Sequence, residues 1–184
     1  VDRRMNVYAA HTNLDKLFYD KLAAVLGLQN VRLLYPDPGS SADTPIGYGI
    51  TARLDAPVAL RGLLESVRSR LNLEFLLYAG DSHREITSLA VLNGAGGRYI
   101  ETIASESPVD CVITGDVGYH DVKSACDSGM AVIDAGHYGT EAVFLGFLRD
   151  RISDYLTKQR SSENIRICIS ELEKNPFRAY RPGD

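Results

Sequence analysis

The order of apolar and polar residues along the chain switches repeatedly between two periods, and each switch marks an element. MNVYAA (residues 5–10) is a short run of apolar and β-forming residues that predicts a strand. It ends at HTNLD, where Asn13 or Asp15 can cap a helix. Leu17, Phe18, Leu22, Val25 and Leu26 then recur at helical spacing up to Gly27, a helix-stopping residue. This pattern predicts an amphipathic helix packed on a sheet.

IGYGITARL (46–54) reads as a strand, 58–71 as a helix with a Leu/Val stripe, and FLLYAG (75–80) and SLAVLNG (88–94) as two further strands. A short helix is predicted over 100–105, past the glycines at 94, 96 and 97. VDCVITGD (109–116) is almost continuously apolar, the pattern of a strand covered on both faces, and it implies a parallel sheet. A helix over 119–128, a buried strand at MAVIDAG (130–136), a long helix over 140–157 and a last strand at IRICIS (165–170) complete the alternation. The tail NPFRAYRPGD reads as irregular.

Strands alternating with helices in this way predict an α/β fold: two α/β halves with mixed or parallel sheets flanked by helices. YPDPGSSADTP (35–45), dense in Pro, Gly, Ser and Asp, reads as a loop or crossing between the halves. It is the best internal boundary within 1–184, which otherwise reads as a single domain.

Composition narrows the function. The 184 residues carry a formal charge of −4, with Lys and Arg dispersed, which argues against a nucleic-acid partner. No apolar run approaches the roughly 20 residues needed to cross a bilayer, so no membrane partner is expected. The three cysteines, Cys111, Cys126 and Cys168, are odd in number and widely separated, which suits neither a disulfide framework nor a thiolate metal site. A soluble protein of the reducing cytoplasm is the expectation. The chain also opens on an arginine pair one step before its first apolar run, without an initiator Met, and this predicts a further portion upstream.

Three strand ends carry the same equipment. AAHTNLD supplies His11 and Asp15, ITGDVGYH supplies Asp116 and His120, and DAGHYGTE supplies His137 and Glu141. Each is a histidine and a carboxylate four residues apart, the spacing that puts two side chains on one face of a first helical turn. Imidazole with carboxylate and no thiolate suits divalent zinc, manganese, iron or nickel, and three such pairs can hold two ions. Taken singly, Asp15 also reads as a helix cap and His120 as a packed or solvated helix residue. The whole set also admits a plain α/β domain with capping pairs. His83, in the polar turn GDSHRE, reads as solvated. The glycines of LNGAGGRYI match neither a Walker loop nor a dinucleotide fingerprint, and a tight strand-to-helix turn is preferred there to a phosphate cradle. No G-x-S-x-G elbow is present.

In this order and at these intervals, AHTNLD, TGDxxxH and DAGHYxTE resemble the type 2 GTP cyclohydrolase I homologues, the NIF-three-like family. The likeness runs from Val7 to about Ser170 and includes GYG at 47–49 and the LNGAG turn. It implies a two-layered α/β fold in a toroidal homohexamer with a dinuclear metal centre facing an internal cavity. Asp15, His137 and Glu141 would then be metal ligands, and His11, Asp116 and His120 would line the site as supporting groups or proton carriers. Family members normally add an upstream His-His-Pro stretch with two more ligands, whereas these 184 residues contain no His-His pair. Longer members carry an inserted domain between the halves, but LYAGDSHREITSLAVLNG runs straight through, as in the short form.

The expected activity is hydrolysis by water activated on two divalent ions, attacking an electrophilic carbon such as a purine-ring amidine of a nucleotide or other small molecule. His120 or His11 would shuttle protons. The competing expectation is a metal-binding regulatory or interaction protein whose ring-shaped oligomer is itself the function.

Overall fold

A computed structural model describes residues 5–41, 43, 45–159 and 165–180. Six strands form one mixed sheet in the order β1-β2-β4-β5-β6-β3. They are β1 (Arg32–Pro36), β2 (Gly47–Ala59), β3 (Leu77–Ala79), β4 (Glu85–Ala95), β5 (Cys111–Gly115) and β6 (Ala131–Asp134). β4, β5 and β6 run parallel, while β1–β2, β2–β4 and β3–β6 are antiparallel. The expected α/β fold is thus a single mixed sheet flanked by helices.

The period-2 alternation of the central strands divides the core into two layers. Leu89, Val91, Cys111, Ile113, Ala131 and Ile133 face one side, where they meet Phe18, Leu22, Leu63, Val67 and Phe144. These partners come from the chain around α2 (Tyr19–Leu26), α3 (Leu60–Arg70) and α7 (Phe144–Lys158). Ala90, Leu92, Val112 and Val132 face the other side, against Ile100 and Ile103 of α4 (Ile100–Glu106) and Ala125 of α5 (Tyr119–Asp127). Burial on both faces is why 109–116 reads as continuously apolar.

Several elements differ from the sequence expectation. Residues 5–10 form no strand and are exposed, as are Ile165 and Ile169 of the run 165–170, which also stays irregular. Apolar patterning yields a strand only where a neighbour completes the hydrogen-bond ladder, and the sheet ends at β1 and β3. β1, absent from the sequence reading, forms because Arg32, Leu33, Tyr35 and Pro36 pair with the start of β2. The Pro/Gly-rich segment at 35–45 accordingly begins inside β1 and leads into its hairpin partner. β2 extends to Ala59, so α3 starts at Leu60 rather than at residue 58.

Helix ends follow local chemistry more closely. α2 stops at Gly27, which takes the left-handed conformation with φ 71°. The predicted helix over 140–157 is split into α6 (His137–Glu141) and α7. The Thr140 hydroxyl lies 3.1 and 3.0 Å from the carbonyls of Gly136 and His137, a side-chain bond that competes with the helical ladder. Asp15 is not a cap: it is the last residue of the short α1 (Thr12–Asp15), and Asn13 Oδ1 accepts the His11 N–H at 2.9 Å.

Candidate metal centre

The carboxyl ends of the parallel strands β5 and β6 open onto a cleft of about 780 Å³, the place where ligands gather in sheets of this type. His11, Asp15, Asp116, His137 and Glu141 all line it. Its remaining walls are mainly apolar and include Leu76, Phe144 and Phe177. The irregular tail contributes one side, anchored where the Tyr138 hydroxyl donates to the Glu173 carbonyl at 3.2 Å.

His137, the first residue of α6, is held at both ring nitrogens. Nδ1 lies 2.7 Å from Asp116 Oδ2, and Nε2 lies 3.1 Å from Glu141 Oε1 one turn along the same helix. Asp116 directly follows β5 and adopts φ 53°, a left-handed conformation that costs a non-glycine residue about 1–3 kcal/mol. Of the three pairs four residues apart, only His137 and Glu141 touch each other. Asp116 turns to His137 instead of His120, because it precedes α5 rather than lying on it. His120 stands exposed on α5 with its ring against the edge of Tyr119, and it does not line the cleft. His83 is exposed, as its polar surroundings predict.

The site's charges are shifted together. The hydrogen bond to Asp116 raises the His137 imidazole above its ordinary value against the opposing effect of burial, with Glu141 and Asp15 adding to the rise. Burial raises the Asp15 carboxyl, partly offset by the Asn93 amide and by His11 and His137. Burial likewise raises Glu141, while His137 pulls it down and Asp15 pushes it up. Three neighbouring titratable groups displaced by burial and by one another form the electrostatic signature of a functional site.

Residues that sequence reasoning passed over pack behind the cluster. Asn93 is 3% exposed, and its side-chain amide faces the Asp15 carboxyl. The Tyr48 hydroxyl donates to the Asn93 carbonyl at 2.5 Å, and the Gly94 N–H donates to Thr140 Oγ1 at 2.8 Å. The Gly96 N–H donates to Thr114 Oγ1 at 3.0 Å, so these two glycine amides tie the LNGAG turn to α6 and β5. Asp134, at the end of β6, also lines the cleft. The available signal was a polar residue inside an apolar strand, Asn93 in SLAVLNG and Asp134 in AVIDA.

The donor set fits a divalent ion in part. Two ligand atoms bound to one ion at about 2.1 Å stand roughly 3.0–3.4 Å apart, which matches the 3.1 Å between His137 Nε2 and Glu141 Oε1. Gly94 keeps that place open: a Cβ there would overlap Glu141 Oε1 and lie 3.3 Å from His137 Nε2. Among the described residues, however, no three His, Cys, Asp or Glu side chains converge into a ready-made ion site. His137 and Glu141 are the converged pair, and Asp15 faces them across the cleft.

Fold and site together define an α/β protein that presents an imidazole–carboxylate cluster at the carboxyl edge of its sheet. The chain belongs to the Duf34/NIF3 (NGG1p interacting factor 3) family, whose profile matches residues 1–176. It is 33% identical over 181 residues to the GTP cyclohydrolase 1 type 2 homolog of Clostridium acetobutylicum, covering 97% of this chain and 66% of that one. The protein of the same name from Clostridium perfringens is 28% identical over 176 residues, covering 94% and 64%. The chain therefore spans just under two thirds of the length of these curated relatives. Among solved structures, a Bacillus cereus protein related to NIF3 matches with a TM-score of 0.84 at 19% identity, covering 94% of this chain and 73% of that one. Staphylococcus aureus protein SA1388 gives 0.81 at 23% identity, covering 96% and 70%. At these identities the two structures speak for the fold.

Proposed function

We propose that this protein is a divalent-metal-dependent hydrolase of the cyclohydrolase type, acting on a nucleotide or related heterocycle in the cytoplasm. The observation that carries the reading is the His137–Glu141 pair at 3.1 Å, fixed from behind by Asp116 and kept clear by Gly94. Asp15, His137 and Glu141 would hold metal, with two ions of zinc, iron, manganese or nickel in a complete site. A homohexameric ring belongs to the same reading. No helix among the described residues is long and apolar enough to cross a membrane.

A divalent ion bound there supplies Lewis acidity and an activated water at neutral pH. The chain's own residues do the rest. Asp116 accepts the Nδ1 proton of His137, which fixes the tautomer that leaves the Nε2 lone pair facing Glu141. Asp15 and Glu141, both raised by burial, bring carboxylates whose charge is poorly solvated and therefore available to a cation. The apolar walls at Leu76, Phe144 and Phe177 exclude water from a bound ring. His11, exposed at the cleft, is placed to exchange a proton with solvent, whereas His120 would need substrate to reach beyond the cleft lining.

The second reading, a metal-binding regulatory or interaction protein, is favoured by the lack of a convergent three-ligand cluster among the described residues. Elemental analysis after equilibration with zinc or manganese, on the wild type and His137→Ala, tests the metal. Uptake by the wild type and its loss in a folded variant are expected. A wild type that takes up no metal sinks the hydrolase reading and leaves a structural or regulatory ring. Ring opening of a purine nucleotide by the loaded protein separates the hydrolase from the binding protein.

A further inference from the structure

We propose that Asp134 is a positioning residue for the metal-binding face of His137, pinning together the two strand-end loops that carry Asp116 and His137. The inference rests on the reading of His137 as a metal ligand.

Asp134 closes β6, a strand otherwise buried and apolar. Its Oδ1 accepts the Gly136 N–H at 2.9 Å, and its Oδ2 accepts the Val117 N–H at 3.1 Å. Gly136 immediately precedes His137, and Val117 immediately follows Asp116. One carboxylate thus bridges the backbone on either side of the Asp116–His137 contact. Charge-assisted bonds from backbone N–H groups to a carboxylate are the stronger kind, and their geometry here is ordinary.

The junction around this bridge has little slack. The Ala135 N–H donates to the Thr114 carbonyl at 2.8 Å, and a Cβ on Gly115 would lie 2.5 Å from the Gly136 carbonyl carbon and the His137 nitrogen. Asp116, whose φ is 53°, holds a conformation that persists only when its surroundings enforce it. The bond from Asp134 to the next N–H supplies part of that enforcement, and so aims the Asp116 carboxylate at Nδ1. Without it, Glu141, 3.1 Å from Nε2, competes with Asp116 for the ring proton, and a ring protonated at Nε2 has no lone pair there for an ion. Both hydrogen bonds of Asp134 go to backbone, so its influence reaches the ring through the loops.

Ring-nitrogen correlation spectra of the metal-free chain read this directly, at a pH where His137 is neutral and with His137→Gln for assignment. Wild type, Asp134→Asn and Asp134→Ala are compared, and each is titrated with cobalt(II). The wild-type ring is expected in the Nδ1–H form. Both variants shift toward the Nε2–H form and lose about 10–100-fold in cobalt affinity, with unchanged circular dichroism, and Asn loses less than Ala because it keeps one acceptor. A wild-type ring in the Nε2–H form overturns the inference, whether or not the variants fold. Variants with wild-type tautomer and affinity overturn it too. If the wild type binds no cobalt while the ring still shifts in the variants, the positioning role stands and the metal reading falls.

Discussion

Nδ1 of His137 lies 2.7 Å from Oδ2 of Asp116, two side chains 21 residues apart in sequence. The contact joins the turn after β5 to the first residue of α6, and it leaves the other ring nitrogen facing Glu141. Removing it in Asp116→Ala is expected to weaken cobalt or zinc binding about 10–100-fold, the usual cost of losing a ligand's supporting partner. The same change lowers the His137 pKa, because that hydrogen bond is the largest cause of its rise. A proton NMR titration of the metal-free variant checks this, and a His137 titration unmoved from the wild type argues that Asp116 does not hold the ring.

Gly94 has φ 62° and leaves room beside Glu141 and His137 that a methyl group would fill. Gly94→Ala is therefore expected to abolish metal binding and to lower stability by about 1 kcal/mol or more through backbone strain. Isothermal titration with cobalt on a variant verified as folded decides the matter. Binding at wild-type strength would place the ion elsewhere.

Asp110 governs a pH effect remote from the cleft. Burial alone would raise its carboxyl, but the N–H and hydroxyl groups of Thr87 and Ser88 all donate to Oδ2 and hold it down at about 2. A carboxylate depressed on folding stabilises fully above its unfolded pKa, and that contribution is lost as pH falls through the folded value. Asp110→Asn is expected to cost about 2 kcal/mol at pH 7, from the size of the depression. In urea melts the gap to the wild type should close between about pH 4 and pH 2. A gap independent of pH would assign the loss to packing rather than charge.

The three cysteines divide by burial. The Cys111 thiol lies inside β5, and burial pushes it up to about 12, whereas Cys126 and Cys168 are exposed. Two thiols per native chain should react rapidly with an aromatic disulfide reagent at pH 8, and the third only on denaturation. Three fast thiols would mean that β5 opens readily.

Most of the alternation was legible because it is local. Apolar runs at 109–116 and 130–136 register burial on two faces, and Gly27 supplies its own stop signal. β1 and the failed strands at 5–10 and 165–170 were not legible, since a strand depends on a neighbour that no local pattern names. The spacing of four correctly paired His137 with Glu141, because both lie on one helical turn. It mispaired Asp116, because a left-handed residue ahead of the helix turned it elsewhere.

The sequence by itself determined the chemistry on offer: imidazole with carboxylate, no thiolate, at the ends of buried strands. Tertiary structure decided which groups meet. Asp116 reaches His137, and Asn93, Gly94 and Asp134 join them, because three parallel strands end at one edge and their loops pack backbone against backbone. Such contacts, from Val117 with Asp134 to Gly94 with Thr140, span 17 to 46 residues of chain, and only the assembled sheet brings them within hydrogen-bonding distance.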